Sequence, residues 1–213
     1  MSNIFKSETD ELLVLIGGST GGPNALATIL SSFKEELGVP VMLVQHIPKS
    51  FSTSLASLLD KKCVMNVIEP KDGQRLKANN VYLAPGDLHM IIAPSGRDGH
   101  YIIRLRDTEP VKSCKPAADV LFKSVAKHYN GAVLVIVITG MGNDGTDGVE
   151  AIKNSKRIKY SHCITQSEKT CIVYGMPGRI VDHDLSDEQV DLEEIGERIV
   201  KIVNREKRKI LRK

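Results

Sequence analysis

The segment Leu12–Leu30, LLVLIGGSTGGPNALATIL, constrains the fold more than any other part of the chain. Its apolar run Leu12–Ile16 predicts a buried strand, and Pro23 opens a segment that predicts a helix to about Phe33. The glycine-rich turn between them carries Ser19 in a Gly-x-Ser-x-Gly spacing, which is typical of a nucleophile elbow. Glycines permit the tight backbone that such a turn needs. Ser19 is therefore a candidate nucleophile.

Two other functions fit this turn when it is considered alone. The N–H groups at a helix N-terminus attract anions, so the turn could bind a phosphate or a nucleotide. Ser19 occupies a position where the dinucleotide fingerprint needs glycine, and the lysine of a P-loop is absent, because the first lysine after the turn is Lys34. Alternatively, Ser19 or Thr20 serves only to cap the helix. The turn by itself leaves all three alternatives open.

The composition indicates a single domain with a substantial core, because the chain has 213 residues and 41% hydrophobic residues. The net charge is only +3 and aromatic residues make up 4%, so we expect no nucleic-acid partner. No stretch approaches the ~20 apolar residues of a membrane span and no signal-peptide core is present, so we expect a cytoplasmic protein without membrane insertion. The four cysteines show no C-x-x-C pairing, and we expect neither a disulfide framework nor a metal site.

Strand and helix patterns alternate along most of the chain. A second buried strand is predicted over Val39–Gln45, a helix over Ser50–Leu59 and a weaker strand over Val64–Ile68. The later predicted elements are a helix over Pro116–Tyr129, a strand over Ala132–Ile138, a helix ending near Asn154, a strand around Cys163–Thr165 and a closing helix over Glu193–Lys209. Such alternation with short connections is the signature of a parallel sheet with right-handed crossovers.

Turn signals recur every few residues between Lys71 and Asp107. They separate three short apolar runs, Val81–Ala84, Leu88–Ala93 and Tyr101–Leu105. Short strands joined by glycine-containing turns predict hairpins, so we expect an antiparallel excursion here. The predicted fold class is therefore α/β, a doubly wound, mostly parallel sheet with an antiparallel hairpin insertion.

Polar residues follow three of the predicted strands, namely Ser19, His46 and Asp144. Parallel strands place their carboxyl ends at one edge of the sheet, where ligands bind. A serine hydroxyl needs an imidazole to take its proton, and the imidazole needs a carboxylate to orient it. Backbone N–H groups at Thr20 and around Met141 are candidate donors to an oxyanion. Although His46 could be an ordinary loop residue and Asp144 a turn former, their joint occurrence at strand ends favours catalysis.

Six motifs occur in an order that resembles one known family. They are Gly17–Gly22 (GGSTGG), Val44–Pro48 (VQHIP), Tyr82–His89 (YLAPGDLH), Lys115–Phe122 (KPAADVLF), Thr139–Gly145 (TGMGNDG) and Tyr174–Pro177 (YGMP). Together, from about Leu12 to Pro177, they resemble the catalytic domain of the chemotaxis protein-glutamate methylesterases, the CheB family.

The resemblance implies roles for the residues already singled out. Ser19 is then the nucleophile, His46 the base and Asp144 the orienting carboxylate, while the backbone N–H of Met141 contributes to the oxyanion hole. Thr20, which directly follows the serine, remains the second donor candidate. The implied reaction is hydrolysis of γ-glutamyl methyl esters on the cytoplasmic helices of methyl-accepting chemotaxis receptors to glutamate and methanol, and also deamidation of receptor glutamines. No cofactor or metal is implied, and we expect a monomer.

The resemblance also sets the expected domain organisation and its departures. We expect residues 1–11 to be a linker or a disordered N-terminus and residues 12–213 to be the methylesterase catalytic domain, without the N-terminal receiver domain that family members commonly carry. Lys156–Tyr160, Ser167 and the sequence after Pro177 depart from the family pattern, which bears on the substrate groove and the partner rather than on the triad. The alternatives are a serine esterase of other specificity and a non-catalytic phosphate- or nucleotide-binding α/β domain.

Overall fold

The computed structural model of the protein describes residues 12–96 and 99–211, so the predicted linker at residues 1–11 lies outside the described residues. The strands are β1 (Leu12–Gly18), β2 (Val41–Gln45), β3 (Asn66–Ile68), β4 (Asn80–Leu83), β5 (His89–Pro94), β6 (Tyr101–Arg106), β7 (Ala132–Val137), β8 (Tyr160–Gln166) and β9 (Glu188–Val190). The helices are α1 (Gly22–Ser31), α2 (Lys49–Asp60), α3 (Ala118–His128), α4 (Thr146–Lys153), α5 (Met176–Asp182) and α6 (Leu192–Leu211).

Seven strands form one sheet in the order β3-β4-β2-β1-β7-β8-β9, and all neighbouring pairs are parallel. β1 lies in the middle, with Gly18 opposite Gln45 of β2 and Gly17 opposite Val137 of β7. All seven residues of β1 are buried. Helices that cover both faces of a parallel sheet require such continuous apolar strands, which explains the sequence pattern. The predicted doubly wound α/β fold is confirmed.

Two hydrophobic cores lie on opposite faces of this sheet. The first is formed with α1, α2 and α6, and it includes Leu26, Ile29, Leu59, Ile195 and Ile199. The second is formed with α3, α4, α5 and the β5–β6 hairpin, and it includes Met90, Phe122, Val149 and Met176. Each fully buried aliphatic or aromatic side chain of this size contributes about 1.5–3 kcal/mol to folding. Because α1 and α4 belong to different layers, the loops that lead to them diverge.

The antiparallel insertion contains fewer strands than the sequence predicted. β5 and β6 pair antiparallel in a separate two-stranded sheet, as predicted, with Ile92 opposite Ile103. The assignment of Val81–Ala84 to the same excursion is wrong, because β4 lies in the main sheet, parallel to both β2 and β3. Val81, Tyr82 and Leu83 are all buried, and only a position inside the main sheet covers both faces of such a strand.

Two short elements were not predicted from the sequence. α5 has seven residues, and β9 has three residues that are only partly buried at the edge of the sheet. Elements of this length show too few periods for a sequence pattern to identify them. In the ranges that the structure describes, no helix is both long enough and apolar enough to cross a membrane.

Candidate active site

The candidate site lies where three adjacent strands end. β2, β1 and β7 are neighbours in the sheet, and the loops that follow them carry His46, Ser19 and Asp144 respectively. After β1 the chain passes to α1 on one face, whereas after β7 it passes to α4 on the other face. Such a point, where neighbouring loops leave in opposite directions, opens a crevice that binds ligands in α/β sheets.

Backbone contacts hold the turn that presents Ser19. The Ser19 N–H donates to the Thr139 carbonyl at 3.0 Å, and the Ser19 carbonyl accepts from the Gly22 N–H at 2.8 Å. Gly21, with φ of 82°, is the N-cap of α1, and no side chain caps the helix there. The alternative in which Ser19 or Thr20 serves as a helix cap is therefore wrong. Among the described residues, the Ser19 hydroxyl has no hydrogen-bond partner.

Gln45 joins the turns of Ser19 and His46, and the sequence analysis did not single it out. Its buried amide Nε2 donates to the Ser19 carbonyl at 2.8 Å and to the His46 carbonyl at 3.1 Å. The one sequence signal for it is a polar residue at the end of the apolar run that forms β2. A buried amide in that place must find hydrogen-bond partners, and here the partners are the backbones of the two site loops.

His46 lies between a carboxylate and a thiol. Its Nε2 is 2.7 Å from Asp144 Oδ2, and its Nδ1 is 3.4 Å from Cys114 Sγ. The side chains of His46 and Asp144 are 14% and 2% exposed. Because an ionised carboxylate only accepts hydrogen bonds, Nε2 carries the proton and Nδ1 presents the lone pair in the neutral ring. The Cys114 thiol faces this lone pair, and its Sγ also lies 3.4 Å from the Lys112 carbonyl, which accepts from it.

The Asp144 carboxylate is held by the first turn of α3 as well as by His46. Its Oδ2 accepts from the Ala118 N–H at 2.6 Å, and its Oδ1 accepts from the Asp119 N–H at 2.9 Å. Burial alone would raise the pKa of Asp144. The hydrogen bonds from His46 and from the two N–H groups outweigh burial and hold this pKa below its usual value. Asp144 is therefore ionised at neutral pH.

Asp119 is a second buried carboxylate in this cluster. Its Oδ1 accepts from the N–H groups of Gly145 at 3.0 Å and Gly148 at 2.8 Å, and its Oδ2 lies 2.7 Å from Lys112 Nζ. Asp144 thus accepts hydrogen bonds from N–H groups at the start of α3. In return, Asp119, which lies on α3, accepts hydrogen bonds from N–H groups at the start of α4. Burial raises the pKa of Asp119 although Lys112 and the Gly148 N–H oppose that shift. The sequence shows Asp119 only as an acidic residue in the first turn of a predicted helix.

The two candidate oxyanion donors have free N–H groups. Among the described residues, neither the Thr20 N–H nor the Met141 N–H has a hydrogen-bond acceptor. Gly140 packs against the turn of Ser19 so closely that a Cβ added to it would lie 2.8 Å from Ser19 Cβ. Gly140, the residue before Met141, therefore lies beside Ser19. The Met141 side chain is 74% exposed. Unpaired N–H groups next to a serine are what an oxyanion hole requires.

Metal-binding residues do not cluster in the described ranges 12–96 and 99–211. There, no three side chains among the His, Cys, Asp and Glu residues are arranged to hold a metal ion. The expectation that no metal or cofactor takes part stays a prediction.

Comparisons with known proteins agree with one another. The family model described as CheB methylesterase matches residues 14–199. A protein-glutamate methylesterase/protein-glutamine glutaminase of Desulfotalea psychrophila is 40% identical over 191 residues, which cover 90% of this chain and 51% of that protein. Protein-glutamate methylesterase/protein-glutamine glutaminase 2 of Methanosarcina mazei is 38% identical over 204 residues, which cover 94% and 54%. The chain spans about half the length of these curated relatives.

A solved structure extends the likeness to three dimensions. The crystal structure of the Thermotoga maritima CheB methylesterase catalytic domain matches with a TM-score of 0.84 at 31% sequence identity. The match covers 90% of this chain and 98% of that chain. The parallel sheet, the separate hairpin, the family model and the relatives lead to the same conclusion: this chain belongs to the CheB methylesterase family.

Proposed function

We propose that this chain is a serine hydrolase that removes methyl groups from the γ-glutamyl methyl esters of chemoreceptors, and that it also deamidates receptor glutamines. The observation that carries the proposal is the 2.7 Å contact between His46 and Asp144 beside the turn that carries the half-buried Ser19. The names of the relatives combine the same two activities. Ester hydrolysis and deamidation are one acyl transfer with different leaving groups, methanol and ammonia.

In the first step, Ser19 Oγ attacks the side-chain carbonyl carbon and His46 Nδ1 takes the hydroxyl proton. Nδ1 is the accepting nitrogen because Asp144 already occupies Nε2. The Ser19 hydroxyl replaces the Cys114 thiol at Nδ1 when substrate binds, since one lone pair accepts one hydrogen bond. Asp144 holds the ring and stabilises the imidazolium that forms, which its low pKa permits.

In the later steps, backbone donors stabilise the oxyanion and water completes the reaction. The N–H groups of Thr20 and Met141 donate to the carbonyl oxygen as it becomes negative, and each such donor contributes about 3 kcal/mol to the transition state. The C–O bond to the methoxy group breaks, and methanol leaves with the proton from His46. Water then loses a proton to His46 and attacks the acyl-enzyme, which releases glutamate and restores the Ser19 hydroxyl.

The substrate in this proposal is a helix in the cytoplasmic part of a chemoreceptor. Met141 and Ile172 are both 74% exposed, and Ile172 packs against Gly21 of the nucleophile turn. Exposed apolar side chains next to a reactive serine suit a helix that offers a glutamyl ester between apolar neighbours. The chain acts in the cytoplasm as a monomer and needs no cofactor or metal.

The test is methanol release from methylated chemoreceptors. We expect Ser19→Ala to lower the rate about 10⁴-fold or more, because the substitution removes the hydroxyl that forms the acyl-enzyme. Ser54→Ala, at an exposed serine on α2, is the matched control and keeps wild-type turnover.

Near-normal turnover by the Ser19→Ala protein contradicts the proposal. Hydrolysis of a small generic ester without methanol release from receptors would instead support a serine esterase of other specificity. Tight nucleotide binding in calorimetry, with no esterase activity, would support a binding domain.

A further inference from the structure

The turn from Val111 to Cys114 lies beside the candidate active site in an unfavourable backbone conformation. The N–H of each of these two residues donates to the carbonyl of the other, at 3.1 and 2.9 Å. The residues between them both have positive φ, 50° at Lys112 and 62° at Ser113. Turns of this kind favour Asn-Gly or Asp-Gly, because other side chains strain the backbone there. The needs of the turn therefore do not explain a lysine at position 112.

The contacts of the Lys112 side chain supply an explanation. Its Nζ lies 2.7 Å from Asp119 Oδ2 and 3.2 Å from Asp147 Oδ1, and it donates to the Asn143 carbonyl at 3.1 Å. The side chain is 25% exposed. Burial opposes the charged form, but the contacts with the two carboxylates raise the pKa of Lys112 above its usual value. The ammonium is thus a fixed positive charge. It contacts Asn143, which directly precedes Asp144, and the carboxylates of Asp147 and Asp119.

These contacts connect the two segments that hold the catalytic carboxylate. Asp119 belongs to α3, whose N–H groups bind Asp144, and Asn143 immediately precedes Asp144 in its loop. Burial is the main cause of the raised pKa of Asp119, and repulsion between its carboxylate and that of Asp144 adds to the shift. Lys112 is the cation in contact with Asp119, and it offsets this repulsion.

We propose that Lys112 is a positioning residue for the His46–Asp144 pair, because its ammonium ties the Asp144 loop to α3 and offsets the charge of Asp119. The inference rests on the proposed function, in which His46 and Asp144 act as base and orienting carboxylate. Lys112 itself does not reach the reacting atoms. Its loss loosens the loop and leaves the surroundings of His46 more negative, which favours the protonated, inactive ring.

The charges around His46 determine the direction of the pH effect. Asp144 and Cys114 contact the ring directly, and Asp119 lies next to Asp144. Lys112 contacts both Asp119 and Asp147, and Lys123 is a second cation that contacts Asp147. Removal of the Lys112 charge therefore moves the acid limb of the kcat/KM profile to higher pH.

The double variant Lys112→Asn, Ser113→Gly separates the lysine from the turn, because it gives the turn its favoured residues and removes the ammonium. We expect kcat for methanol release to fall about 10- to 100-fold while KM stays within about twofold. The acid limb moves to higher pH, and Lys112→Arg keeps kcat within about threefold of wild type because the charge is retained. Lys123→Met is the matched control, since it removes a 49% exposed cation from Asp147 and leaves both kcat and the acid limb unchanged.

Wild-type kcat and an unmoved acid limb in the double variant would overturn the inference, as would an equal loss in Ser113→Gly alone. Amide exchange at Gly145 and Gly148, whose N–H groups bind Asp119, needs no activity. The inference requires faster exchange there in the double variant than in Lys123→Met, and unchanged exchange refutes it. Wild-type protein that releases no methanol would refute the proposed function, and the exchange experiment would still test the role of Lys112.

Discussion

The loops after β1 and β7 meet at one crevice but are held together in different ways. The turn at residues 17–22 is fixed by backbone hydrogen bonds and close glycine contacts. The loop at residues 138–145 also makes backbone hydrogen bonds, but its Asp144 end is held by charged groups: the Asp144 carboxylate accepts from two N–H groups of α3, and Lys112 donates to the Asn143 carbonyl. These partners lie 25 or more positions away in the sequence. The first loop therefore depends on shape, whereas the Asp144 end of the second loop depends on charge. Substitutions and pH should affect the two loops differently.

In the loop after β7, the largest expected effect comes from removal of the charge at Asp144. Asp144→Asn keeps the shape of the side chain but lowers kcat/KM for methanol release by about 10³- to 10⁴-fold, because an amide neither fixes the ring tautomer nor stabilises the imidazolium. Asp182→Asn, at an exposed residue on α5, is the control and stays within about twofold. A loss of less than about tenfold in Asp144→Asn would show that charge does not govern this loop.

A smaller effect, on the free energy of unfolding, is expected from a substitution in the turn at residues 17–22. In Gly22→Ala the new Cβ overlaps the buried side-chain oxygen of Gln45, a side chain whose amide nitrogen donates to the carbonyls of Ser19 and His46. We expect the free energy of unfolding, measured with urea, to fall by about 1–3 kcal/mol. The loss should be the same at low and high salt, because packing causes it.

Asn24→Ala is the matched control for this turn, since Asn24 is exposed in the first turns of the same helix. Its unfolding free energy should stay within about 0.5 kcal/mol of wild type. Equal stability of the Gly22→Ala and Asn24→Ala proteins would mean that shape does not limit the turn.

The smallest effect is a pH dependence of stability that distinguishes Asp144, in the loop after β7, from Asp119 on α3. The pKa of Asp144 is lowered, so its contribution to stability is present above about pH 4, the unfolded value, and is lost as pH falls through the lower folded pKa. The pKa of Asp119 is raised, so its contribution is fully present below about pH 4 and is lost as pH rises through the folded pKa.

Urea unfolding across this pH range measures both contributions. The stability difference between wild type and Asp144→Asn should shrink on acidification, whereas the difference between wild type and Asp119→Asn should shift in favour of wild type. Differences that change in the same direction would contradict the opposite pKa shifts of the two residues.

The turn was largely predictable from the sequence because its determinants are local. β1, the start of α1 and the place of Ser19 follow from an apolar run, glycines and a proline within 19 residues of sequence, Leu12–Leu30. His46 and Asp144 were predicted to lie near Ser19 because the carboxyl ends of parallel strands share one edge. Their exact partners still required the observed strand order, in which β1 lies between β2 and β7.

The contacts of the loop at residues 138–145 could not be predicted from the sequence in the same detail. The importance of Asp119 depends on how α3 lies against α4, and that of Lys112 on a turn with positive φ at two residues that do not favour it. Similarly, the place of β4 depends on which face of a short apolar run is covered, and three or four residues do not reveal this. These features depend on packing between residues that are far apart in the sequence, and the local sequence pattern carries no information about that packing.

Asp144 and Asp119 bind each other's backbone segments, and this reciprocal arrangement constrains how the two residues can change during evolution. Each carboxylate accepts hydrogen bonds from N–H groups of the segment that carries the other, so substitution of either one leaves two backbone donors without an acceptor. The two positions should therefore vary together among homologues or not at all. Transplantation of the proposed active site into another scaffold would need both helices in their present relative orientation, in addition to the side chains of Ser19, His46 and Asp144.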